Sequence, residues 1–331
     1  MKKVLILTDG KAGHENQSKA FARALGCEFD LVEVHFKSKL TKTLSYLLDR
    51  VGVRSLRLLS VAIECNRLQS KPVAVIGTGS GTFYAAKAMA KKLGVKCGVV
   101  LYPRGYDIKS FDCVLAPAFD RPKTAANVIE IPANLVANDE AFYEKGVAAF
   151  WEKRGQQAYD NKGEAVAVIV GGPNKCSTMT PEWMKAQLDA IFAQDSNKSS
   201  LTGAQLPATN CQLPTLQYWV TTSRRTPPEV EAVVDSYPWD YKLLYSKDHF
   251  NPIPAFVKLA KKLYVTAEST GMLSESCTFG SAEVIALDNL KPGPHKFRRF
   301  VEDLRTGGYV DGNRKVDLSA QFARAKALMG L

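Results

Sequence analysis

The chain has 331 residues, which at about 150 residues per domain predicts two domains, and its 46% hydrophobic content is ordinary for a globular protein. No apolar run approaches the roughly 18 residues of a membrane-spanning helix, so no such span is predicted. The net charge of +11 indicates an anionic partner such as a nucleotide, a phosphorylated lipid, a membrane surface or a nucleic acid, although charge also serves solubility.

Seven cysteines are scattered along the chain without a Cys-x-x-Cys pair. An odd, dispersed set is typical of reduced thiols and argues against a disulfide framework or a zinc site. We therefore expect buried thiols, no metal and a cytoplasmic location. The cysteines are Cys27, Cys65, Cys97, Cys113, Cys176, Cys211 and Cys277.

The first predicted strand, residues 3–8, leads into a polar loop over residues 9–17 and then a helix over residues 18–25. Ligands bind at the carboxyl ends of strands in open α/β sheets, and glycines allow the backbone to approach them. His14 is a candidate general base or hydrogen-bond donor, with a structural role in the turn as the alternative. The loop matches neither a Walker A motif nor a full G-x-G-x-x-G. Its other candidate site residues are Asp9, Gly10, Gly13, Glu15, Asn16 and Gln17.

A basic stretch, residues 36–71, follows the second predicted strand, residues 29–34. It carries eight basic residues against two acidic ones. Apolar residues recur in the stretch at helical spacing, namely Leu40, Leu44, Leu47, Leu48 and Val51. A basic amphipathic helix of this kind can lie on an anionic membrane or hold a lipid-linked acceptor. The alternative is a helix that packs on the core and leaves a basic face in water.

The next predicted strand, residues 72–76, runs into a glycine-rich turn and a helix over residues 83–93. In this turn, Gly79, Ser80 and Gly81 can direct backbone N–H groups at a ligand. Strands that alternate with helices predict a parallel sheet with right-handed crossovers. The remaining strands of this half are predicted over residues 96–101, 111–117 and 127–131.

The second half repeats the strand, turn and helix plan. A helix over residues 141–157 and a polar break over residues 159–164 precede it. A strand over residues 165–170 then leads into Gly171 and Gly172, with Lys175 nearby. A helix is predicted over residues 183–194 and a surface loop over residues 196–212.

Two arginines follow the next predicted strand, residues 216–222. Ser223, Arg224 and Arg225 stand at its end, and a guanidinium pairs with phosphate in a planar fork. A diphosphate site is therefore one interpretation, and surface ion pairs are the other.

A Ser-Thr-Gly turn follows the apolar residues 263–265. Ser269, Thr270 and Gly271 stand where a helix is predicted to begin, and a helix N-terminus favours an anion such as phosphate. Glu275 lies about one helical turn further on and could reach a sugar hydroxyl. An ordinary capped helix is the alternative interpretation. The flanking elements are predicted strands over residues 241–245 and 284–287, and helices over residues 255–261, 296–304 and 318–329.

The pattern predicts an α/β protein with an N-terminal Rossmann-like domain over residues 1–150. A C-terminal Rossmann-like domain is expected over residues 160–310, followed by a C-terminal helix over residues 311–331.

Six motifs in colinear order resemble the bacterial and plant family named for a plant mitochondrial-fission protein whose loss elongates mitochondria. Where that family usually has Asp-Ser, this chain has Glu268 and Ser269. Bacterial members are often labelled nucleoside-diphosphate-sugar epimerases, yet the chain lacks a G-x-G-x-x-G opening and a Tyr-x-x-x-Lys pair. The motifs are residues 9–17, 76–81, 171–175, 222–227, 265–275 and 296–300.

The family in turn resembles the GT-B glycosyltransferases, above all the transferase that adds N-acetylglucosamine to lipid-linked peptidoglycan precursor. Gly13 and His14 match its glycine–histidine loop, and Gly171 with Gly172 matches its phosphate turn. This resemblance implies two Rossmann-like parallel-sheet domains facing across a cleft, and a transferase that needs neither metal nor cofactor and uses a nucleotide-diphosphate sugar as donor.

The resemblance also implies roles for the candidate residues. His14 would be the base or orienter for the acceptor hydroxyl, helped by Asp9, and Glu275 would hold the nucleotide ribose. Arg224 or Arg225 would neutralise the leaving diphosphate. The other donor-binding candidates are Gly171, Gly172, Lys175, Ser223, Ser269, Thr270 and Gly271. The acceptor-binding candidates are Gly10, Gly13, Asn16, Gly79, Ser80 and Gly81.

The acceptor expected from this resemblance is lipid-linked or at a membrane surface in bacterial cell-envelope glycan synthesis. The protein would then be cytoplasmic and peripheral on the inner face of the cytoplasmic membrane. Two other classes stay open: a non-catalytic adaptor that recruits a dynamin-like GTPase, as the plant resemblance implies, and a nucleotide-sugar epimerase. Nucleic acid is not an expected partner, because the basic residues lack aromatic interleaving.

Overall fold

The computed structural model describes residues 2–61, 71–155, 165–200 and 216–331. The chain divides into two compact units. The first comprises Met1–Asn138 and Val316–Leu331, and the second comprises Asp139–Lys315. Each unit carries its own largely or wholly parallel sheet, which confirms the predicted α/β fold with two Rossmann-like domains.

The described part of the first unit contains one seven-stranded sheet and four α-helices. The strands are β1 (Lys3–Thr8), β2 (Glu28–Phe36), β3 (Leu59–Val61), β4 (Ala74–Thr78), β5 (Lys96–Val100), β6 (Cys113–Pro117) and β7 (Val128–Ile131). The helices are α1 (Ala12–Ala24), α2 (Lys39–Arg50), α3 (Phe83–Leu93) and α10 (Ser319–Met329).

The order of this sheet is β3-β2-β1-β4-β5-β6-β7, and all neighbours are parallel except β2 and β3. From β1 the chain moves outward to β2 and then crosses back to β4 on the other side. The carboxyl ends of β1 and β4 therefore form the topological switch point, where open α/β sheets bind their ligands.

Helices cover both faces of the first sheet. Phe21 of α1 and Met329 of α10 are buried against one face, and Tyr84 and Met89 of α3 are buried against the other. Strands covered on both faces read as continuous apolar runs, which explains why the sequence predicted them well. The C-terminal helix α10 thus completes the core of the first unit instead of standing apart.

The second unit contains a five-stranded parallel sheet of order β10-β9-β8-β11-β12 among its described residues. Its switch point lies between β8 and β11, so the turns that follow these two strands share one edge. The strands are β8 (Ala165–Ile169), β9 (Gln217–Thr221), β10 (Tyr241–Leu243), β11 (Ala260–Thr266) and β12 (Glu283–Leu287). The helices are α4 (Glu140–Arg154), α5 (Pro181–Ser200), α6 (Pro228–Asp235), α7 (Ile253–Leu259), α8 (Thr270–Thr278) and α9 (Lys296–Thr306).

Helix α4 belongs to the second unit, although we expected the first domain to continue to residue 150. Phe150 is fully buried and packs its ring on Trp219 and Phe256, with ring centroids 5.2 and 6.0 Å away. Buried aromatic rings contribute strongly to packing energy, so this contact places α4 in the second unit. The unit boundaries consequently lie at residues 138/139 and 315/316.

Two helices are longer than predicted, and the helical spacing in the basic stretch is confirmed. Helix α1 begins at Ala12, so much of the predicted loop over residues 9–17 is helical. The residues at helical spacing in the basic stretch lie in α2 and at its C-cap, and a 3₁₀ turn (Leu56–Leu58) and β3 follow. Helix α5 continues to Ser200, into the predicted surface loop.

Some predictions fall outside the described residues. These are the polar break at 159–164, the rest of the predicted loop from residue 201 to 212, and Cys65 and Cys211.

The five described cysteines are free, and four of them are buried. Burial raises the pKa of the Cys113 and Cys277 thiols to about 12, so both remain protonated at neutral pH. This agrees with the predicted buried thiols. Among the described helices, none combines the length and apolar character needed to cross a membrane.

Candidate functional site

Asp9 and His14 form a hydrogen-bonded pair at the switch point of the first unit. Asp9 follows β1, and His14 lies in the first turn of α1 with its Nδ1 3.0 Å from Asp9 Oδ1. The side chain of Asp9 is 7% exposed and that of His14 is 24% exposed. With the ring proton on Nδ1, the histidine donates to the carboxylate and Nε2 becomes an acceptor. Nε2 has no hydrogen-bond partner within the described ranges.

The carboxylate of Asp9 stays ionised because Lys11 and His14 both contact it. Burial raises the pKa of Asp9, but the hydrogen bond from Lys11 Nζ at 2.7 Å and the charge and hydrogen bond of His14 outweigh it. The net pKa of Asp9 therefore lies below its usual range. An ionised Asp9 can hold the imidazole ring in orientation and stabilise it when it takes up a proton.

Gly79 and Gly81 pack directly against this pair. A Cβ atom on Gly79 would lie 2.4 Å from His14 Cε1, and one on Gly81 would lie 2.8 Å from Asp9 Oδ2. Gly79 also has a φ of +82°, which favours glycine. We predicted that these glycines would admit a ligand, but in the structure they make room for the two side chains. Only Ser80 between them is exposed, and its Oγ accepts a hydrogen bond from Lys42 Nζ at 3.1 Å.

The other candidates of this loop are nearer the surface. Gly10, Gly13 and Asn16 are exposed, and Gly10 has a φ of +77°. Glu15 pairs with Lys19 at 2.6 Å, which accounts for its charge without a ligand. The Oε1 atom of Gln17 is buried and lacks a partner among the described residues.

A buried carboxylate, Glu268, lies at the switch point of the second unit. Its Oε1 accepts the backbone N–H of Gly172 at 2.7 Å and the hydroxyl of Thr266 at 3.1 Å. Its Oε2 accepts from Asn289 Nδ2 at 2.8 Å. Glu268 is only 2% exposed, so these bonds provide the pairing that a buried charge requires. We considered Glu268 only as a departure from the family pattern; its position directly after a buried strand was the available signal.

This network changes the role that we predicted for Gly171 and Gly172. The N–H of Gly171 donates to Thr266 Oγ1 at 2.8 Å and that of Gly172 to Glu268, so neither is directed at a diphosphate. A Cβ on Gly171 would lie 2.0 Å from Glu268 Oε1. Both glycines therefore serve close packing of the turn. Lys175 is exposed, and its carbonyl oxygen accepts from Lys291 Nζ.

The start of α8 is open at Gly271, which is exposed, while Thr270 is half-buried and Ser269 is buried. Ser269 is the N-cap residue, yet its side chain makes no capping hydrogen bond, unlike an ordinary capped helix. The first N–H groups of a helix have no partner within the helix, and the macrodipole makes them attractive to an anion. Gly271 is exposed, and a Cβ placed on it would meet nothing within 4 Å.

Glu275 lies on the same helix and is held by a tyrosine that we did not predict. The hydroxyl of Tyr143 in α4 donates to Glu275 Oε1 at 2.8 Å, and the Tyr143 ring stacks on Phe279 with centroids 4.3 Å apart. Tyr143 is fully buried, so it holds the carboxylate in a defined place. No local pattern in the sequence indicates this contact.

Arg224 borders a cavity of about 470 Å³ beyond the ends of β9 and β10. Ser223, Tyr245 and Lys247 also line it. Within the described ranges, neither Arg224 nor Arg225 forms an ion pair, so the surface ion pairs that we considered are not present there. Arg225 is exposed, and its carbonyl oxygen would lie 2.2 Å from a Cβ on Gly172.

Solved structures with a similar chain path share little sequence with this chain. The Staphylococcus aureus MnaA–UDP structure is 14% identical over 99% of this chain and 87% of that chain, with a TM-score of 0.45. Neisseria meningitidis UDP-GlcNAc 2-epimerase bound to UDP-GlcNAc is 11% identical over 100% and 98%, with a TM-score of 0.49. Acinetobacter baumannii MurG is 12% identical over 100% and 89%, with a TM-score of 0.46. At these values the likenesses carry no argument about activity.

No curated protein matches the chain. One family model does match, over residues 12–322, and it is described as mitochondrial fission ELM1. That range includes His14, Glu268, Glu275 and both arginines. The chain therefore belongs to the mitochondrial fission ELM1 family.

Proposed function

We propose that the chain is a glycosyltransferase that moves a sugar from a nucleotide-diphosphate sugar to an acceptor hydroxyl. The observation that carries this proposal is the Asp9–His14 pair at the first switch point. A histidine that is oriented through Nδ1 and open at Nε2 is suited to accept a proton from a hydroxyl.

The proposed reaction is a single displacement. The acceptor oxygen attacks the anomeric carbon of the donor, the bond between that carbon and the diphosphate oxygen breaks, and the nucleoside diphosphate leaves with the electron pair. The hydroxyl proton passes to Nε2 of His14. Asp9 stabilises the resulting imidazolium through its hydrogen bond to Nδ1.

The second unit supplies the donor side of the proposal. The open start of α8, with Ser269, Thr270 and Gly271, would bind the diphosphate through backbone N–H groups and hydroxyls. Glu275 on the same helix would accept a hydrogen bond from a ribose hydroxyl. Arg224 would stabilise the charge that develops on the leaving diphosphate, an interaction that is stronger in the transition state than in the ground state.

The net charge of +11 supports an acceptor carried at an anionic membrane surface. We therefore include in the proposal a lipid-linked acceptor of a bacterial cell envelope, and a protein that lies peripherally on the inner face of the cytoplasmic membrane.

The first experiment measures thermal stability of the purified chain with UDP, GDP, CMP, ADP and their sugar conjugates. A ligand that binds only the folded state stabilises it by about 2.7 kcal/mol at a hundredfold excess over Kd. The nucleotide that stabilises the protein then enters an acceptor screen in which release of nucleoside diphosphate is measured.

Variants test the proposed base and the proposed nucleotide-binding residues separately. We expect His14→Ala to bind the nucleotide normally but to lose transfer, and Arg224→Ala and Glu275→Ala to weaken nucleotide binding or transfer. Lys91→Ala, at an exposed position of α3, is the matched control. Wild-type transfer rates in all three site variants would overturn the proposal.

Two alternatives give different results in the same experiments. An epimerase would change the configuration of the sugar within the intact nucleotide sugar and without an acceptor. A non-catalytic adaptor, the role that the plant resemblance implies, would bind none of the nucleotides. In that case capture of protein partners would be the next measurement.

A further inference from the structure

Helix α2 turns its apolar side chains outward. Leu40 is 81% exposed, Leu44 41%, Leu47 59% and Val51 66%. Spacings of four, three and four residues place these side chains along one face of the helix and its C-cap. Beyond them in the described residues, only Val53 and Phe142 are exposed large apolar side chains.

The side of α2 that faces the core carries the buried polar residues Ser45 and Asp49 together with Tyr46 and Leu48, which pack against the core. Asp49 is 1% exposed, and both of its carboxylate oxygens accept from Lys87 Nζ at 2.9 Å. The backbone N–H of Asp107 donates to the same carboxylate at 2.6 Å. The buried hydroxyl of Ser45 lies 3.0 Å from Tyr106 Oη. The apolar stripe therefore faces away from the core, whereas the apolar face of a surface helix usually meets the core.

Rotating α2 to bury its exposed leucines would break the contacts that fix the helix to the core. Turning the leucines inward would carry Asp49 away from Lys87 and leave the buried ammonium group of Lys87 without its carboxylate partner, which is strongly destabilising. The interpretation of this helix as core-facing holds for Leu48, which packs on the core, and is wrong for the four outward-facing residues Leu40, Leu44, Leu47 and Val51.

The exposed charges of the segment that carries this stripe all have one sign. Within residues 37–60 the only acidic residue is Asp49, which is buried and paired. The exposed cations of this segment are Lys37, Lys39, Arg50 and Arg57. Long cationic side chains beside an apolar stripe can extend to phosphate groups while the stripe enters an apolar phase.

We propose that the α2 face, defined as Leu40, Leu44, Leu47 and Val51 with the cations Lys39 and Arg50, binds an anionic lipid bilayer. The charge supports this occupant, because anionic headgroups complement a segment whose exposed charges are all cationic. The shape supports it as well, since a single convex helix lies in the interface of a bilayer with its axis along the surface.

The docked helix adjoins the Asp9–His14 pair within the first unit. Lys42 of α2 donates to Ser80 Oγ, and the glycines on both sides of Ser80 pack on Asp9 and His14. If the proposed function holds, the bilayer would bring a lipid-borne hydroxyl to His14, and only this step of the inference rests on that function. Binding to the bilayer itself does not require transfer.

The test is flotation of the full chain with vesicles of phosphatidylcholine alone or with one quarter phosphatidylglycerol. We expect binding to the anionic vesicles only, and weaker binding as the salt concentration rises. Leu40→Gln with Leu47→Gln should weaken binding at least about tenfold, since both side chains lose apolar contact. Lys39→Gln with Arg50→Gln should weaken it by about twenty-fivefold, at about fivefold per cation.

Two controls keep the result interpretable. Lys91→Gln with Lys92→Gln removes the same charge from exposed positions of α3 and should bind like the wild type. Thermal unfolding of each variant shows whether it folds, which we expect because the replaced side chains are exposed.

Failure of the wild type to bind anionic vesicles would overturn the inference, as would unchanged binding by the leucine variant. Capture of a protein by the α2 face without vesicle binding would also overturn it. These outcomes are separable from failure of the proposed function, because flotation needs no nucleotide sugar and nucleotide-dependent stabilisation needs no vesicles.

Discussion

Glu268 Oε1 lies 2.7 Å from the backbone nitrogen of Gly172, and this hydrogen bond joins the turns that follow β8 and β11. The two residues are 96 positions apart in the chain. Because the carboxylate also accepts from Thr266 and Asn289, it holds the switch point of the second unit together from within.

Removing this carboxylate should destabilise the second unit. We expect Glu268→Ala to lower the free energy of unfolding by about 2–4 kcal/mol, because the N–H of Gly172 and the amide of Asn289 would be buried without a partner. Glu268→Gln should cost less, since the glutamine carbonyl oxygen can still accept from Gly172, and a rotation of the Asn289 side-chain amide lets its unpartnered Oδ1 accept from the glutamine NH₂ group. Chemical denaturation measures both variants. Glu302→Ala, at an exposed position, is the control and should change stability by less than about 0.5 kcal/mol.

A methyl group at Gly79 should displace the proposed base. The new Cβ would lie 2.4 Å from His14 Cε1 at a φ of +82°, so we expect Gly79→Ala to lose about 1–3 kcal/mol of stability and most of the transfer activity. Gly26→Ala is the matched control, because Gly26 also has a positive φ, of +73°, and nothing lies within 4 Å of its Cβ. Equal effects of the two substitutions would contradict this account of the glycine turn.

Gly271 separates ligand binding from stability. Its Cβ position is open and the residue is helical, so Gly271→Ala should leave stability unchanged or raise it by up to about 1 kcal/mol. The same methyl group should obstruct a diphosphate at the start of α8, and we expect nucleotide affinity to fall at least about tenfold. Isothermal titration with the stabilising nucleotide measures this. An unchanged nucleotide affinity would show that the diphosphate does not bind at the start of α8.

The stability contributed by Asp9 should depend on pH. Its folded pKa lies below its usual value of about 3.9, so the ionised form stabilises the fold above that pH and the contribution is lost as the pH falls through the folded pKa. The difference in unfolding free energy between the wild type and Asp9→Asn should therefore be largest near neutral pH and shrink below about pH 4. Denaturation curves between pH 3 and 7 measure it, and a constant difference would mean that Asp9 acts by shape alone.

The orientation of α2 should depend on its buried ion pair. Burial lowers the pKa of Lys87 despite the favourable contact with Asp49, which shows how strongly the site is desolvated. We expect Lys87→Met to lower the free energy of unfolding by about 3–5 kcal/mol, because Asp49 would lose its main partner. Lys91→Met on the same helix is exposed and should have little effect. Similar stability of the two variants would show that the pair does not anchor α2.

Much of the fold could be predicted because buried parallel strands appear in the sequence as short apolar runs that end at glycine-containing turns. The bounds of β1 and α3 agree with the prediction at both ends. The same pattern located the turns after β1, β4, β8 and β11, which are the four turns that meet at the two switch points. Local sequence is sufficient here, since each such unit needs an apolar strand, a permissive turn and an amphipathic helix.

The contacts that define the sites depend on the tertiary structure. Helical periodicity predicted an amphipathic α2. The spacing of apolar residues defines a face of the helix but not what that face contacts, so the side that meets the core is known only from the buried contacts of Asp49. Likewise the sequence by itself determined that Glu268 follows a buried strand, while its bond to Gly172 requires the strand order that brings β8 beside β11. Pairings between residues so far apart are set by chain topology and packing, and no local pattern records them.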